Sequence, residues 1–566
     1  MVTRAFIVIF LFLFQHGIAQ LPKYVVRLTN KANTSYSLQD PSSFLSSKSI
    51  QRRLKQQIEL DSTDLPVTAA YLDSIRNVPA VQILNWSKWL NQVLISVTDS
   101  NALAKINLFS FVLSTDPVNN RSVLLIAGQV STNQRSQQEK TAGVEATMRS
   151  ATTNADYYNY GASFDQITIH HGDFLHNLGF HGEGMTIAIL DDGFNSYLSN
   201  PAFDSVLSMH RVLGTYDYVN QKESVNEEDA HGANCFSIIA SNIPGTMVGS
   251  APAASFWLFK TEDINSESPV EEQNWIAAAE FADSVGADLI STSLGYDYFD
   301  DSAFNLTYPD RNGHTSMISR AANFAVAKGM IVTASAGNDG QQASERKYVT
   351  CPADGDSVYT VGAVDPAGNI APFSSWGPNS SGQVKPDGVS VGEGAFVVSA
   401  IGLPEAGNGT SYSNPNLAGL ITCLWQAFPE FSAHDITAAV RKASDHYTQP
   451  SDRFGYGIPD FEKAYQSLLS KRLSGYSQVL GNDWIRVFPV PFQQSFKLIF
   501  IPNAGGVANF QLLDDAGKLL QKFSAPIAAG QLQVQGFNGL SALPSGVYFL
   551  RYSDAQRMKT MKLVKD

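Results

Sequence analysis

Three residues with complementary chemistry lie at the ends of predicted strands and helices in the middle of this 566-residue sequence. Asp191 follows the apolar run 186–190, His231 precedes apolar positions at helical spacing, and Ser411 begins another apolar stripe. A serine hydroxyl becomes a good nucleophile when a positioned imidazole takes its proton and a carboxylate holds that imidazole. Alone, each residue would be an ordinary loop, helix-start or N-cap residue. Together they stand in the order Asp, His, Ser, one of three orders known for this constellation.

A side-chain amide supplies a fourth part. Asn338 follows the apolar run 331–334, and such a donor stabilises the oxyanion that forms when a nucleophile attacks a carbonyl group. The combination indicates acyl transfer through a serine nucleophile. Cys235 is a rival nucleophile because it lies four residues after His231, on the same helical face. We interpret it as a packing residue.

The elements that must position these residues form an α/β pattern. From about residue 166 to residue 470, short apolar runs alternate with longer helical segments, which is typical of a parallel sheet flanked by helices. Functional residues of such sheets gather at the carboxyl ends of the strands. The strand candidates are 186–190, 255–259, 288–292, 331–334 and 358–361.

The motifs around the four residues resemble, in order and spacing, those of the subtilisin-like serine peptidases. The resemblance implies the subtilase fold and hydrolysis of peptide bonds through an acyl-enzyme. It also implies that Ser411 is the nucleophile, His231 the general base and then acid, Asp191 the orienting carboxylate and Asn338 the oxyanion donor. The matching segments are Asp191-Asp192-Gly193, His231-Gly232-Ala233, Ser293-Leu294-Gly295, Ala336-Gly337-Asn338 and Gly409-Thr410-Ser411. Of these, Ser293, Leu294 and Gly295 are expected to line one side of the substrate cleft and to pair with the peptide backbone.

The sequence departs from the family pattern beside the reacting groups. Asp192 stands where the family has Ser or Thr, and two carboxylates facing one histidine would raise one pKa. Because consecutive residues at a strand end point to opposite sides, we predict that Asp191 faces the histidine and that Asp192 is a turn or outer residue. Ala233 and Asn234 replace a Thr-His pair, and Tyr412 replaces Met. These changes are structural substitutions or reshape the cleft wall.

The N-terminus predicts export. Arg4 precedes the apolar run 5–14, and Gly17-Ile18-Ala19 supplies the small residues of a cleavage site, so residues 1–19 are predicted to be a signal peptide. Ten apolar residues are too few to span a bilayer. Residues 20–130 have a strand-helix-strand pattern whose position resembles a propeptide, with a permanent accessory domain as the alternative. The polar residues 131–165 are predicted to be the linker in which the propeptide is cut.

The C-terminal residues 484–566 alternate apolar and polar positions, which predicts a small β-sandwich. Gly546-Val547-Tyr548-Phe549 and the terminal Lys-Leu-Val-Lys resemble the sorting domain of type IX secretion. The resemblance implies an outer-membrane secretion machinery as partner, and a secreted or cell-surface protein of a Gram-negative bacterium that passes through the periplasm. A β-sandwich that binds carbohydrate or protein is the alternative, but the clustered aromatics of sugar sites are missing.

The amino-acid composition and the cysteine spacings restrict the classes of partner and cofactor. Only 16% of residues are charged, and 39 basic against 52 acidic residues give a net charge of -13, which disfavours a nucleic-acid binder. Proteins or peptides are the expected substrates. The predicted chemistry requires no cofactor. The spacings of Cys235, Cys351 and Cys423 predict no metal site. The sequence does not decide whether calcium binds, although it has no Asp-x-Asp-x-Asp-Gly loop.

Two other functions are alternatives to a peptidase. The changed motif neighbours leave open a catalytically inactive, subtilase-like binding or structural protein. An esterase is disfavoured because the Gly-x-Ser-x-Gly elbow is missing around Ser411. The presence of all four reacting groups favours a secreted serine endopeptidase.

Overall fold

The computed structural model describes residues 21–119, 156–227, 229–481 and 483–566. Contacts divide the chain into two units, residues 1–465 and 466–566, and each is described by itself. The predicted signal peptide lies outside the described residues. None of the described helices is long and apolar enough to cross a lipid bilayer.

An α+β domain opens the first unit. Its antiparallel sheet has β3 and β1 in the centre, flanked by β2 and β4. Successive side chains of a strand point to opposite faces, so β3 is buried on both sides, with Val93 and Ile95 in the domain's own core and Leu94 against Val270 of the following domain. The strands are β1 (Lys23–Leu28), β2 (Val81–Ser87), β3 (Gln92–Val97) and β4 (Val112–Asn119), and the helices are α1 (Ser47–Gln56), α2 (Ala69–Arg76) and α3 (Asn101–Ile106).

The second domain of this unit contains a seven-stranded sheet whose strand pairs are all parallel, as predicted. All six residues of β5 and of β12 are buried, as expected for strands covered by helices on both faces. Two strands, β6 and β13, were not predicted. In spatial order the strands are β13 (Gly388–Val391), β12 (Tyr359–Val364), β11 (Ile331–Ser335), β10 (Leu289–Thr292), β5 (Thr186–Asp191), β9 (Ser255–Lys260) and β6 (Val212–Asp217).

Helices flank this sheet. The helix that begins at Thr410 is almost wholly buried and packs against strands β10 to β13 and the helix that begins at His231. Apart from 3-10 turns, the helices are α4 (Phe164–Thr168), α5 (Gly172–Asn177), α6 (Asp204–Ser208), α7 (His231–Ala240), α8 (Pro269–Val285), α9 (Met317–Ala327), α10 (Thr410–Ala427), α11 (Ala433–Lys442) and α12 (Phe461–Leu480), and the remaining strands of the unit are β7 (Asn242–Ile243), β8 (Met247–Val248), β14 (Ala395–Val398) and β15 (Pro404–Gly407).

The predicted boundaries of this domain need correction at both ends. Of the segment 131–165 predicted to be a linker, residues 131–155 lie outside the described part of the chain, but Tyr160, Ala162 and Ser163 are buried. The amide of Ala162 donates to the carbonyl oxygen of Thr246 at 2.8 Å, so this segment packs against the domain with the seven-stranded sheet. The polar composition of the preceding residues favoured a linker and gave no sign of this packing. The predicted end at residue 470 falls inside α12.

The second unit has the predicted arrangement of two antiparallel sheets. One sheet has three strands and the other has four, and aromatic and aliphatic side chains of both form one buried cluster. Phe496, Phe510 and Tyr552 belong to this cluster. The strands are β16 (Ile485–Phe488), β17 (Phe496–Phe500), β18 (Gly506–Leu513), β19 (Leu519–Ile527), β20 (Gln533–Phe537), β21 (Gly546–Ser553) and β22 (Met558–Lys565).

Buried charges join the N-terminal α+β domain to helix α8. Asp283 lies 2.5 Å from Arg52, 2.9 Å from Arg53 and 3.2 Å from Lys88, measured between carboxylate oxygens and side-chain nitrogens. Burial disfavours the charged carboxylate, but the neighbouring cations outweigh it and hold the pKa of Asp283 well below its usual range. Asp64 adds a second carboxylate, 2.7 Å from Arg53. The contact between the two domains therefore depends on charge pairing.

We expect Asp283→Asn to lower the free energy of unfolding by about 3–5 kcal/mol, because it leaves buried cations without a counter-charge. Urea unfolding of the full chain measures this, with Ser411→Ala in both proteins to remove the predicted nucleophile. Asp73→Asn is the matched control, because its pair with Arg76 is exposed and worth about 1 kcal/mol or less. Equal effects of the two substitutions would contradict the importance of the buried cluster.

Candidate active site

A strand end and a helix start bring the first two candidate residues together. Asp191 is the last residue of β5 and is fully buried, and His231 is the first residue of α7. Nδ1 of His231 lies 2.6 Å from Oδ1 of Asp191. A Cβ atom on Gly232 would lie 2.4 Å from the carbonyl oxygen of Gly193 and 2.9 Å from Cβ of Asp191. Only glycine therefore lets the helix start approach the strand end so closely.

The neighbouring carboxylate, Asp192, has a different environment. Its backbone amide donates to Oδ1 of Asp191 at 2.9 Å, and its own Oδ1 lies 3.4 Å from the amide of Gly232. The carboxylate of Asp192 thus faces the backbone at the start of α7, while Asp191 contacts the imidazole. This geometry agrees with the expectation that Asp191 faces the histidine and that Asp192 is a turn or outer residue.

Ser411 lies in the first turn of α10 and is 3% exposed. Its Oγ donates to the carbonyl oxygen of Ser293 at 3.3 Å, and Oγ of Ser293 donates to the carbonyl oxygen of Ser411 at 2.9 Å. Sγ of Cys235 lies 3.4 Å from that carbonyl oxygen and 4.0 Å from both ring nitrogens of His231. The serine and the histidine therefore share a neighbour, and the structure brings them into one site.

Asn338 follows β11 and is oriented by Thr410. Its Oδ1 accepts hydrogen bonds from the backbone amide and from Oγ1 of Thr410, both at 2.9 Å. With the amide oxygen held in this way, the Nδ2 group is the end of the side chain that can donate to a substrate. Thr410 directly precedes Ser411, so the same turn holds the amide and the serine. Sequence reasoning quoted Thr410 in a motif but assigned it no role.

The segment predicted to line the cleft follows β10. Leu294 is 4% exposed and belongs to the hydrophobic core, so its side chain is not part of a substrate surface. Ser293 contacts Ser411 through its hydroxyl and its carbonyl oxygen. What this segment can offer a peptide is therefore its backbone.

Tyr412 packs beside the imidazole. Its ring centroid is 6.1 Å from that of His231, and the residue is 5% exposed. A Cβ atom on Gly407 would lie 2.5 Å from the Tyr412 ring, so the small residue in β15 accommodates the tyrosine. Tyr412 thus fills the space behind the histidine.

The three cysteines are buried, as we expect for packing residues, and they are unpaired. Burial raises the pKa of the Cys235 thiol to about 12, despite the nearby imidazole. The thiolate is the nucleophilic form of cysteine, so Cys235 is a poor nucleophile at neutral pH. Sγ of Cys235 also forms a group with Asp191 and His231 of the type that can hold a metal ion, and the imidazole and carboxylate of this group already contact each other.

We expect Cys235→Ala to leave kcat nearly unchanged and iodoacetamide at pH 8 to leave the folded wild type active, because the buried thiol is protonated there. Peptide mass mapping and a peptidase assay on the same sample measure both effects. Alkylation of Cys235 in step with the loss of activity would contradict this expectation.

Comparison with known proteins identifies the domain. Residues 182–457 match the subtilase family. These residues form a subtilase domain. Subtilisin DY of Bacillus licheniformis is 28% identical over 281 residues, covering 49% of this chain and 89% of that protein. Subtilisin E of Bacillus subtilis is 28% identical over 295 residues, covering 52% of this chain and 68% of that protein.

The subtilase domain is also similar to a solved structure, MycP1 from the ESX-1 type VII secretion system, with a TM-score of 0.43 and 19% identity. The similarity covers 56% of this chain and 89% of that one. The family match and the relatives identify the chain as a serine endopeptidase, as predicted.

The flanking regions match two further families. Residues 23–140 match a propeptide domain of peptidase family S8 from Bacteroidota, and residues 486–566 match a secretion system C-terminal sorting domain. Both predicted resemblances are thereby confirmed. The subtilase domain thus lies between a propeptide domain and a sorting domain.

Proposed function

We propose that this subtilase hydrolyses peptide bonds of proteins through Ser411, His231 and Asp191. The observation that carries the proposal is the 2.6 Å contact between His231 Nδ1 and the buried Asp191. A carboxylate at Nδ1 fixes the tautomer in which Nε2 accepts a proton. Cys235 contacts both Ser411 and His231, which supports the role of Ser411 as the proton donor to that nitrogen.

The proposed reaction has two balanced halves. Oγ of Ser411 attacks the carbonyl carbon while its proton passes to Nε2 of His231, and Asn338 Nδ2 donates to the oxyanion. The C–N bond then breaks, and His231 gives the proton to the leaving amine, which leaves an acyl-enzyme. Water attacks the acyl-enzyme with proton transfer to His231, and collapse releases the acid and restores Ser411. These side chains complete the chemistry without a cofactor.

The substrate is proposed to bind as an extended peptide beside Ser293, Leu294 and Gly295. Backbone groups at the end of a strand can pair with an extended chain, and the buried side chain of Leu294 supports contact through the backbone. Proteins and peptides are therefore the proposed substrates, and nucleic acids are not.

The N-terminal domain is proposed to act as a propeptide that is cut before residue 156. Residues around Tyr160 pack into the subtilase domain, which supports a cut upstream of them. The buried charges around Asp283 support continued contact between the two parts after cleavage.

The sorting domain indicates secretion or a cell-surface location in Bacteroidota. We further propose export of the chain to the periplasm by residues 1–19 and passage across the outer membrane by secretion machinery that binds the sorting domain.

The proposed function is tested with the full chain and its Ser411→Ala variant, by casein digestion and intact mass. We expect the wild type alone to digest casein and to lose an N-terminal fragment ending before residue 156. Identical behaviour of two folded proteins, without digestion or processing, would favour the inactive binding protein instead.

A further inference from the structure

The outer face of the four-stranded sheet in the second unit carries large apolar side chains. The inward side chains of its strands belong to the buried cluster, with Phe510, Leu512 and Leu550 among them. Because successive side chains of a strand point to opposite faces, the residues between them face outward. Leu519 and Met558 on this outward side are 47% and 72% exposed. The outward residues of a sandwich are normally polar, so exposed apolar side chains there indicate a contact surface.

The strand register brings three cations onto the same outward side. Gln511 of β18 lies opposite Lys522 of β19 and, on its other flank, opposite Arg551 of β21. Lys562 of β22 lies opposite Phe549, two residues before Arg551. Neighbouring strands are about 4.8 Å apart, so each cation lies within about 10 Å of the next. We call this outward side, with Lys522, Arg551 and Lys562, the basic face.

The cations of the basic face have no counter-charge in the described part of the domain. None of the three forms an ion pair there, whereas Lys559 pairs with Asp483 and Arg557 stacks on Trp484. Residues 486–566 contain nine basic and four acidic residues, although the whole chain has a net charge of -13. All four acidic residues lie outside the strands. The basic face is therefore a patch of positive charge that a partner can neutralise.

The apolar part of the basic face is recessed between longer side chains. Leu513 lies opposite both Leu519 and Phe549, which makes an apolar row across three strands. Leu513 is 9% exposed and Phe549 is half-buried, while Lys522 and Lys562 are exposed. A flat lipid surface would meet the lysine side chains before it reached this row. A protein surface can instead insert apolar side chains into the row while its carboxylates pair with the cations.

We propose that the basic face is the surface through which the sorting domain binds the outer-membrane secretion machinery, and that the partner is an acidic protein surface with an apolar centre. Carboxylates of the partner pair with Lys522, Arg551 and Lys562, and its apolar side chains cover the row around Leu513. Complementary charges steer such an association and suppress wrong partners. This inference rests on the proposed passage across the outer membrane and names the surface and the chemistry of its partner.

The test compares two double variants of the full chain that lose the same charge, expressed in a Bacteroidota strain with an intact secretion system. Lys522→Gln with Arg551→Gln removes two cations of the basic face. Arg486→Gln with Lys497→Gln removes two exposed cations of the three-stranded sheet. We expect the first variant to lower the ratio of external to periplasmic protein by about 10-fold or more, the scale of a lost interfacial charge pair, and the second to match the wild type. Quantitative immunoblots of the medium, the cell surface and the periplasm measure this ratio.

Conservative substitutions separate loss of the contact from loss of folding. Lys522→Arg with Arg551→Lys keeps both charges and should be exported like the wild type, and thermal unfolding of each purified variant reports whether it is folded. If the first double variant does not fold, Lys522→Gln alone, at an exposed position, should lower the ratio in the same direction.

A carbodiimide tests the chemistry of the partner, because it joins lysine amines directly to carboxylates. In cells that are exporting the wild type, we expect mass spectrometry to find Lys522 or Lys562 linked to an Asp or Glu residue of a protein of the secretion machinery. Retention of the first double variant without any such link in the wild type would overturn the acidic protein partner. Binding of the full chain to phosphatidylglycerol vesicles through Lys522 and Arg551 would then identify a lipid surface instead.

The export assay also separates this inference from the proposed function. A wild type that stays in the periplasm would overturn the proposed passage across the outer membrane and this inference with it. Export of the first double variant at the wild-type ratio, or equal retention of both double variants, would overturn this inference alone.

Discussion

Replacing Ser411 by alanine, His231 by alanine, or both together is expected to lower kcat for a peptide substrate by about 10⁶-fold in all three cases. The size is the one found for the corresponding residues of a subtilisin. The physical reason is that the two residues act as one unit. Without the imidazole the hydroxyl keeps its proton, and without the hydroxyl the imidazole has no nucleophile to activate.

The equality of the three losses is the informative part of this result. Independent contributions would multiply, so the double variant would be far less active than either single variant. Steady-state assays of the purified variants measure the losses, with Cys235→Ala as a control that should remain active. A His231→Ala variant within about 10-fold of the wild type would contradict the role of the imidazole, since general base catalysis alone contributes about 10²–10⁴-fold.

Replacing Asn338 by leucine is expected to lower kcat by about 10²–10³-fold, again the size known from a subtilisin, while KM changes little. The amide group is held by two hydrogen bonds to Thr410, at 2.9 Å each, and its Nδ2 end can donate to the charge that develops on the substrate. An interaction made only in the transition state affects kcat and kcat/KM equally.

Assays across a range of substrate concentrations separate these two quantities. Thr410→Val removes the side-chain bond to Asn338 and the bond that Oγ1 accepts from the amide of Gly337 at 3.2 Å, while the backbone bond from residue 410 to Asn338 remains. We therefore expect a smaller loss of kcat than in Asn338→Leu. Asn369→Leu, in an exposed turn of the same domain, should leave kcat unchanged. A rise in KM with an unchanged kcat in Asn338→Leu would contradict an oxyanion role.

Much of the site could be predicted because its parts are local. Asp191 is the last residue of its strand, His231 is the first residue of its helix, and Ser411 is the second residue of its helix. The pattern of apolar runs therefore identified both the elements and the residues at their ends. Strand β6 was missed because it is the last strand of the sheet and most of its residues are only partly buried, which leaves no clear apolar run.

The features that could not be predicted depend on contacts between distant parts of the chain. Arg52 and Arg53 belong to a predicted polar helix, and nothing local indicates that both contact Asp283 in the buried interface. The segment with Leu294 was predicted to line the cleft, but nothing local indicates that the side chain of Leu294 lies in the core.

The activation of Ser411 by His231 is tested most directly by a phosphonofluoridate, a reagent that reacts with activated serine hydroxyls, followed by peptide mass mapping. We predict one covalent adduct on Ser411 in the wild type, formed in step with the loss of peptidase activity, and none in the folded His231→Ala variant. A wild type without an adduct, an adduct on another residue that accounts for the lost activity, or equally fast labelling of Ser411 without His231 would contradict the mechanism.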